Sequence, residues 1–312
     1  MTKIEIVEVS PRDGLQNEPD LVPTHQKLEL IKRAAASGAR RIEAVSFVNS
    51  KAVPQMADAE EVMMAIRGET AFRQEGIAIS GLVLNRRGLD RALKADVDEV
   101  NFVVLASETF NKRNQGATTM ETMRQLGEAV SVARAEGIPV GLTIGAAFGC
   151  PFEGEVPLAK VIALVEQAGA FDLGEIALAD TIGVADPLAV EQRVAALRAA
   201  LPGVPLRCHF HDTRNTGLAN AYAAWRSGAT TLDASIGGIG GCPFAPNATG
   251  NVATEDLVYM FSRMGVETGL SLDSLLAAAE WLQDEVLKKA VPSALLRSGG
   301  FPSVTEPARV CV

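Results

Sequence analysis

The chain has 312 residues and a formal net charge of −9, and 47% of its residues are hydrophobic. This length falls within the range of a single (β/α)8 barrel, and the hydrophobic content is ample for a buried core. A strongly acidic chain repels polyanions at long range, so we expect no nucleic acid partner. No apolar run approaches the roughly 18 residues that cross a membrane, so we expect no membrane association.

The four cysteines are few and widely spaced, which argues against a disulfide framework. They are Cys150, Cys208, Cys242 and Cys311, and no two of them form a Cys-x-x-Cys pair. Reduced thiols are typical of the cytosol, so we predict a cytoplasmic protein.

Short β-branched runs alternate with Ala- and Leu-rich segments of helical spacing along most of the chain. The predicted strands cover residues 4–9, 40–47, 77–84, 99–105, 139–147, 175–180, 205–211 and 230–236. Clear helical patterns cover residues 25–36, 157–168, 186–201 and 217–228. Repeated β/α units of this kind predict a (β/α)8 TIM barrel, with an open doubly wound sheet as the alternative. No Gly-x-Gly-x-x-Gly follows the first strand, which removes the main reason to prefer the open sheet.

A further helical pattern over residues 271–289 follows the eighth unit. We therefore predict a barrel domain over residues 1–291, including this C-terminal helix, and an irregular tail over residues 292–312.

Polar residues collect where the predicted strands end, which is where barrel enzymes build their active sites. In chain order they are Arg12, Asp13, Gln16, Glu43, Asp180, His209, His211, Cys242, Asn247 and Asn251. Closure of the barrel places strand 8 beside strand 1, so strands 6, 7, 8, 1 and 2 form one continuous arc. These residues are therefore expected to converge on one side of the rim.

The segment HFHD offers a metal site, because His209 and His211 point to the same face of a strand. The alternative is a buried, hydrogen-bonded histidine pair. Asp13 adds a carboxylate from the neighbouring strand, and Asn251 could add an amide oxygen. Such a mixed set with open positions suits Mg²⁺ or Mn²⁺, although Zn²⁺ and Co²⁺ would also tolerate the nitrogens.

Three further positions carry both a functional and an ordinary interpretation. Arg12 is placed to stabilise negative charge on a carbonyl or enolate oxygen, or else forms a surface salt bridge. Cys242, in a glycine-rich loop, could act as a general acid or base, or be an inert thiol. The segment ASETFNKRNQG, which contains Ser107 and Asn114, could hold phosphates or be a solvated loop.

Six stretches of the sequence are distinctive when they are taken together. They are PRDGLQNE (11–18), SFVNSKAVPQM (46–56), GCPFEG (149–154), DTIGV (180–184), HFHDT (209–213) and GGIGGCPFAPNATGNVATEDLVYM (237–260). In this order they resemble the 3-hydroxy-3-methylglutaryl-CoA (HMG-CoA) lyase family of metal-dependent barrel lyases. Isopropylmalate and homocitrate synthases share the barrel and the His-x-His site but differ in the cysteine-containing loop.

The resemblance implies a retro-Claisen cleavage of HMG-CoA to acetyl-CoA and acetoacetate, with one Mg²⁺ or Mn²⁺ per site. The implied metal ligands are Asp13, His209, His211 and Asn251. A base removes the proton of the tertiary hydroxyl, His209 being one candidate. Coenzyme A enters only as part of the substrate, and a homodimer or higher homo-oligomer is expected.

The remaining site residues also take their roles from this resemblance. Arg12 would stabilise the enolate of the departing acetyl-CoA, and Cys242 would take part in proton transfer. Glu43 and Asp180 would support the site. The predicted contacts with substrate or CoA are Arg12, Gln16, Ser107, Asn114 and Asn247.

Three positions depart from the family pattern and put the acyl group in doubt. Ala52 replaces the usual Trp, Arg214 begins an altered triplet after HFHDT, and Asn247 replaces a usual Gly. The alternatives are therefore a lyase for isohexenylglutaryl-CoA or citramalyl-CoA, and a related condensing enzyme or aldolase. A non-catalytic binding protein would not need this set of ligands, Arg and thiol.

Overall fold

A computed structural model describes residues 2–241 and 250–300 of the chain. Eight parallel strands close into a barrel in which each strand pairs with its neighbours in chain order, and the last pairs with the first. They are β1 (Glu5–Glu8), β2 (Arg41–Ser46), β3 (Ala78–Val83), β4 (Glu99–Leu105), β5 (Val140–Gly145), β6 (Glu175–Asp180), β7 (Leu206–Phe210) and β8 (Thr231–Ala234). The predicted TIM barrel is confirmed, and every strand lies within two residues of its predicted bounds.

Helices follow the strands around the outside of the barrel. They are α1 (Thr24–Ala36), α2 (Ala59–Gly68), α3 (Thr70–Gln74), α4 (Arg86–Lys94), α5 (Glu108–Gln115), α6 (Thr119–Ala135), α7 (Leu158–Ala168), α8 (Pro187–Ala200), α9 (Gly217–Ser227), α10 (Thr254–Arg263), α11 (Leu272–Trp281) and α12 (Ala294–Arg297). Within the described ranges, every helix is too short or too polar to cross a membrane.

The segment between β4 and α6 is helical, where the sequence indicated a loop. Ser107 begins α5, since its hydroxyl accepts a hydrogen bond from the backbone NH of Phe110, and Gly116 ends the helix with a φ of 69°. A side-chain cap at the start and a left-handed glycine at the end are the usual boundaries of a helix. Two smaller additions are an antiparallel hairpin (Gly149–Cys150 with Gly154–Glu155) and α12, which lies within the segment expected to be irregular.

Alternation along the strands sends polar side chains into the barrel and apolar ones against the helices. In and just beyond β7, Arg207, His209 and His211 face the interior, whereas Cys208 and Phe210 belong to the hydrophobic core. The interior is therefore lined by charged and polar groups from the rim to the opposite end.

The N-terminal end of the barrel carries an ionic cluster of its own. The guanidinium of Arg41 contacts the carboxylates of Glu5, Glu99 and Glu175 at 3.0, 2.9 and 2.7 Å. A cavity of about 570 Å³ opens at this end and is lined by these residues together with Arg207. It lies away from the strand C-termini, so it is separate from the rim at which the candidate ligands converge.

Candidate active site

The segment after β1 turns two charged side chains onto the rim. Residues Ser10–Gly14 form one turn of π-helix, within which Arg12 and Asp13 are only 7% and 9% exposed. Arg12 donates hydrogen bonds to the carboxylates of Asp13 and Glu43. Gly14 lets this turn pack closely, because a Cβ there would meet Ile239 at 2.8 Å.

Asp13 lies between the ends of β1 and β7, facing both histidines. Its Oδ2 is 3.9 Å from Nε2 of His209 and 3.7 Å from Nε2 of His211. Burial opposes ionisation of Asp13, but the charge of Arg12 and the contacts with the two histidines outweigh it. The pKa of this carboxyl is therefore held well below its usual value, and the group is anionic.

The residues after β8 bring Asn251 into the same cluster. Its Nδ2 donates to Oδ2 of Asp13 at 2.9 Å and to the carbonyl of Ile239 at 3.1 Å. Its side-chain oxygen is buried and has no hydrogen-bond partner among the described residues. A buried oxygen left in this state is a suitable additional ligand for a cation.

The geometry of the cluster fits a divalent cation. Ligand atoms of Asp13, His209 and His211 all lie within 4.8 Å of one another. Two atoms that are each about 2.1 Å from one ion are at most about 4.2 Å apart, and both distances from Asp13 satisfy this limit. The metal triad predicted from the sequence is thus brought together in space.

Glu43 and Asp180 contact protein groups rather than the open rim. Glu43 is 1% exposed and binds both Arg12 and the amide of Asn101. Asp180 accepts hydrogen bonds from the backbone NH groups of Val184 and Ala185 at 3.0 and 2.9 Å. Burial raises the pKa of Asp180, and these NH groups oppose that rise. Glu43 therefore orients Arg12, and Asp180 holds the loop after β6.

The residues predicted to contact the substrate differ in how exposed they are. Gln16 is half-buried directly after the Arg12 turn, and Asn114 is exposed on α5. Ser107 is fully buried, and its hydroxyl caps α5 and contacts Sγ of Cys150 at 2.9 Å. In this arrangement the Ser107 hydroxyl is used within the protein, which does not favour a contact with CoA. Cys242 and Asn247 lie outside the described residues.

Two residues at the site were given no role in the sequence analysis. Asp233, on β8, contacts Nδ1 of His209 at 3.1 Å. Asn17 donates a hydrogen bond to the carbonyl of Gly241, which lies in the glycine-rich loop immediately before Cys242. A charged residue inside the apolar run TTLDASI was the available signal for Asp233.

Comparison with known proteins identifies the family. The model of the HMGL-like family matches residues 3–282, which is most of the chain. The chain belongs to the HMGL-like family. The resemblance inferred from the motifs is confirmed, and with it the prediction of a carbon–carbon lyase.

Members of the HMGL-like family with different named activities are similar to this chain over almost its whole length. An (R)-citramalyl-CoA lyase from Chloroflexus aurantiacus is 42% identical over 99% of this chain and 99% of that protein. A hydroxymethylglutaryl-CoA lyase from Bacillus subtilis is 40% identical over 93% of this chain and 95% of that protein. The structure of an HMG-CoA lyase from Acinetobacter baumannii, in complex with coenzyme A and 3-methylmalate, covers 98% of this chain and 98% of its own, with a TM-score of 0.92 and 40% identity.

Proposed function

We propose that this protein is a divalent-metal-dependent lyase that cleaves HMG-CoA to acetyl-CoA and acetoacetate by a retro-Claisen reaction. The observation that carries the proposal is the convergence of Asp13, His209 and His211 on one point of the rim, next to the guanidinium of Arg12. A metal-binding triad beside a fixed cation is what this reaction requires. Asp13, His209 and His211 would hold a metal that binds the hydroxyl-bearing end of the substrate, and the Arg12 guanidinium would stabilise the negative charge that develops on the thioester oxygen.

We propose Mg²⁺ or Mn²⁺ as the ion, held by Asp13, His209, His211 and the side-chain oxygen of Asn251. When bound, the ion would lower the pKa of the substrate hydroxyl and polarise the groups around it. The mixture of carboxylate, amide and imidazole ligands favours these ions over one held by sulfur.

The contacts of the protein residues support the following proposed roles. Once solvent water has taken up the hydroxyl proton, the hydroxyl carbon can become the ketone of acetoacetate as the carbon–carbon bond breaks, and the electron pair of that bond passes to the thioester as an enolate. Arg12, held in place by Glu43, would stabilise the enolate oxygen. We propose that Cys242 takes part in returning a proton to the enolate. Each ring nitrogen of His209 already faces a carboxylate, so we assign it as a ligand and not as the proton acceptor.

Citramalyl-CoA is the second candidate substrate, favoured by the 42% identity to a lyase named for it. The two thioesters share the cleaved bond and the tertiary hydroxyl, and differ by one methylene before the distal carboxylate. A single methylene typically changes kcat/KM by about 10- to 200-fold, so parallel kinetics separate them. Ala52 and Arg214 are exposed, and Arg214 donates to the carbonyls of Ile182 and Gly183. We propose that these two residues shape the acyl pocket.

The first experiment measures acetyl-CoA release with Mg²⁺ or Mn²⁺ from HMG-CoA, citramalyl-CoA and isohexenylglutaryl-CoA. Asp13→Ala should abolish turnover, and Cys242→Ser should lower it. Glu5→Gln is the matched control, because it removes a carboxylate at the start of β1, at the end of the barrel opposite Asp13, and should remain active. A preference for citramalyl-CoA would change the assigned substrate and leave the proposed retro-Claisen reaction unchanged. Turnover of none of these compounds by a metal-loaded enzyme would refute the proposal.

Three further predictions from the sequence are carried forward as proposals. They are a single catalytic domain over residues 1–291, a cytoplasmic location, and a homodimer or higher homo-oligomer. Light scattering coupled to size-exclusion chromatography tests the last of these, and a monomeric mass at micromolar concentration would refute it.

A further inference from the structure

We propose that Asp233 is a positioning residue that fixes the ring and the tautomer of His209 for metal binding. The inference rests on the proposed function, because it concerns the same metal site. It begins with one contact inside the barrel, between Oδ2 of Asp233 and Nδ1 of His209, at 3.1 Å.

The pairing of β7 with β8 produces this contact. Thr231 pairs with Arg207 and Leu232 pairs with Cys208, so the next inward-facing residue of β8 lies beside the inward-facing residues of β7. The side chain of Asp233 is 8% exposed and that of His209 is 10% exposed. Little water reaches the contact, and its geometry is determined by two hydrogen-bonded strands.

Arg207 supplies the charge that makes a buried Asp233 tolerable. Its Nε is 3.5 Å from Oδ1 of Asp233, and its NH1 is 3.4 Å from Glu175. The Arg207 side chain is only 2% exposed, so the ionic contact is weakly screened. Asp233 therefore offers one oxygen to an arginine and the other to an imidazole.

The acceptor character of Asp233 fixes the proton on His209. A carboxylate can only accept hydrogen bonds, so the nitrogen that faces it must carry the proton. In neutral His209 this leaves the lone pair on Nε2, which is the nitrogen that faces Asp13. Hydrogen bonds of this kind orient metal-binding histidines and raise their basicity as ligands.

The second histidine lacks such a partner. Nδ1 of His211 is buried and has no hydrogen-bond partner among the described residues. The two imidazoles are therefore not equivalent, and loss of Asp233 should act on His209 alone. If Asp233 only stabilised the fold, its loss would affect both histidines alike, so an effect confined to His209 distinguishes the two roles.

The test combines metal affinity with direct observation of the ring nitrogens. The chain contains three histidines, so a sample labelled with ¹⁵N-histidine gives three ring systems, assigned with His25→Gln and His211→Gln. In the wild-type protein loaded with Mg²⁺, Nδ1 of His209 should carry a proton. Asp233→Asn should weaken Mn²⁺ binding by about 10- to 100-fold in calorimetry and shift the His209 nitrogens while leaving those of His211 in place.

Glu99→Gln is the matched control, because it removes a carboxylate from the ionic cluster at the opposite end of the barrel. It should bind Mn²⁺ as wild type does. A protonated Nε2 on wild-type His209, or unchanged Mn²⁺ affinity in folded Asp233→Asn, would overturn the inference. If wild type bound no Mn²⁺, the proposed function would fail instead. The tautomer of metal-free His209 at alkaline pH would then still test the role of Asp233.

Discussion

Arg12 illustrates how a single side chain is fixed at this site by shape as well as by charge. Its guanidinium contacts Asp13 on one side and Glu43 on the other, and Glu43 is in turn held by Asn101. Lysine carries the same charge as a point and cannot reproduce the planar fork. The two carboxylates therefore fix the place at which Arg12 would contact an enolate oxygen in the proposed reaction.

Arg12→Lys should lower kcat by about 10²- to 10³-fold, the usual cost of losing an oriented donor to a developing oxyanion. The ligands remain, so the Mn²⁺ affinity should stay close to that of wild type. Steady-state kinetics and Mn²⁺ titration on the same preparation measure both quantities.

Arg86→Lys serves as the control for Arg12→Lys, because Arg86 is exposed and pairs with Asp90 on the surface of α4. An effect of Arg12→Lys on KM alone, with kcat retained, would contradict a role in stabilising the enolate.

Substitutions of Ser107 and Asn114, at the start and near the end of α5, should have opposite effects on stability and on KM. Ser107→Ala removes the N-cap of α5 and should lower the free energy of unfolding by about 1 kcal/mol, with KM for the thioester unchanged. Asn114→Ala changes an exposed residue and should raise KM for the thioester while leaving stability unchanged. Urea unfolding and steady-state kinetics separate the two effects. A raised KM for the thioester in Ser107→Ala would support the contact between Ser107 and CoA that the sequence predicted.

At the scale of elements, the turn that follows β8 is anchored by two buried glutamate side chains. Glu8 accepts a hydrogen bond from the backbone NH of Ile236, and Glu255 accepts one from the backbone NH of Gly237. Both side chains come from outside this turn, one from β1 and the other from α10. The start of the glycine-rich loop is therefore attached to the barrel wall on two sides.

Glu255 should make stability depend on pH in a defined direction. Burial raises its pKa from 4.5 to about 8, so the folded state binds more protons than the unfolded chain between these values. The free energy of unfolding should therefore fall as the pH rises from 4.5 to about 8, by at most about 1.4 kcal/mol per pH unit. Glu255→Gln keeps an acceptor for Gly237 without the charge, and should flatten this fall.

Urea unfolding at several pH values, compared between Glu255→Gln and wild type, measures the effect. Glu267→Gln is the control, because it changes an exposed carboxylate beyond the other end of α10. A variant curve parallel to that of wild type between pH 5 and 8 would show that Glu255 is not the group responsible.

The sequence was sufficient for the eight barrel strands because each carries its own boundaries. The β-branched runs end at Gly or polar residues, and the predicted strands lie within two residues of the observed ones. Helix α5 was missed because its residues are mostly polar, so no apolar face marked it. Its boundaries, Ser107 and Gly116, are visible only as a cap and a left-handed turn.

The site was predictable only where its residues follow strand ends. Asp13, His209 and His211 could be assigned to the rim because closure of the barrel places β8 between β7 and β1. The role of Asp233 depends on the register between β7 and β8, which a single sequence does not determine. The burial of Ser107 was not predictable for a similar reason, since it follows from packing of α5 against the hairpin at Cys150.

At the scale of the whole molecule, the two ends of the barrel have different tasks. The C-terminal rim carries Arg12 and the candidate metal ligands Asp13, His209 and His211, whereas the N-terminal end carries Arg41 and the three glutamates that contact it. Barrel enzymes generally separate catalysis and stability in this way. In this protein the two ends are joined through Arg207, which contacts Glu175 below and Asp233 above.

Arg41→Met tests this division. It should lower the free energy of unfolding by about 3 kcal/mol, because it leaves the side chains of Glu99 and Glu175 with one cation fewer in a largely enclosed site. Mn²⁺ affinity and kcat, measured well below the unfolding transition, should stay within about twofold of wild type, since Arg207 still compensates Glu175. The conservative Arg41→Lys should recover part of the lost stability. A large loss of Mn²⁺ affinity in folded Arg41→Met would instead mean that the ionic cluster acts on the metal site through Arg207, and that the barrel interior works as one coupled network.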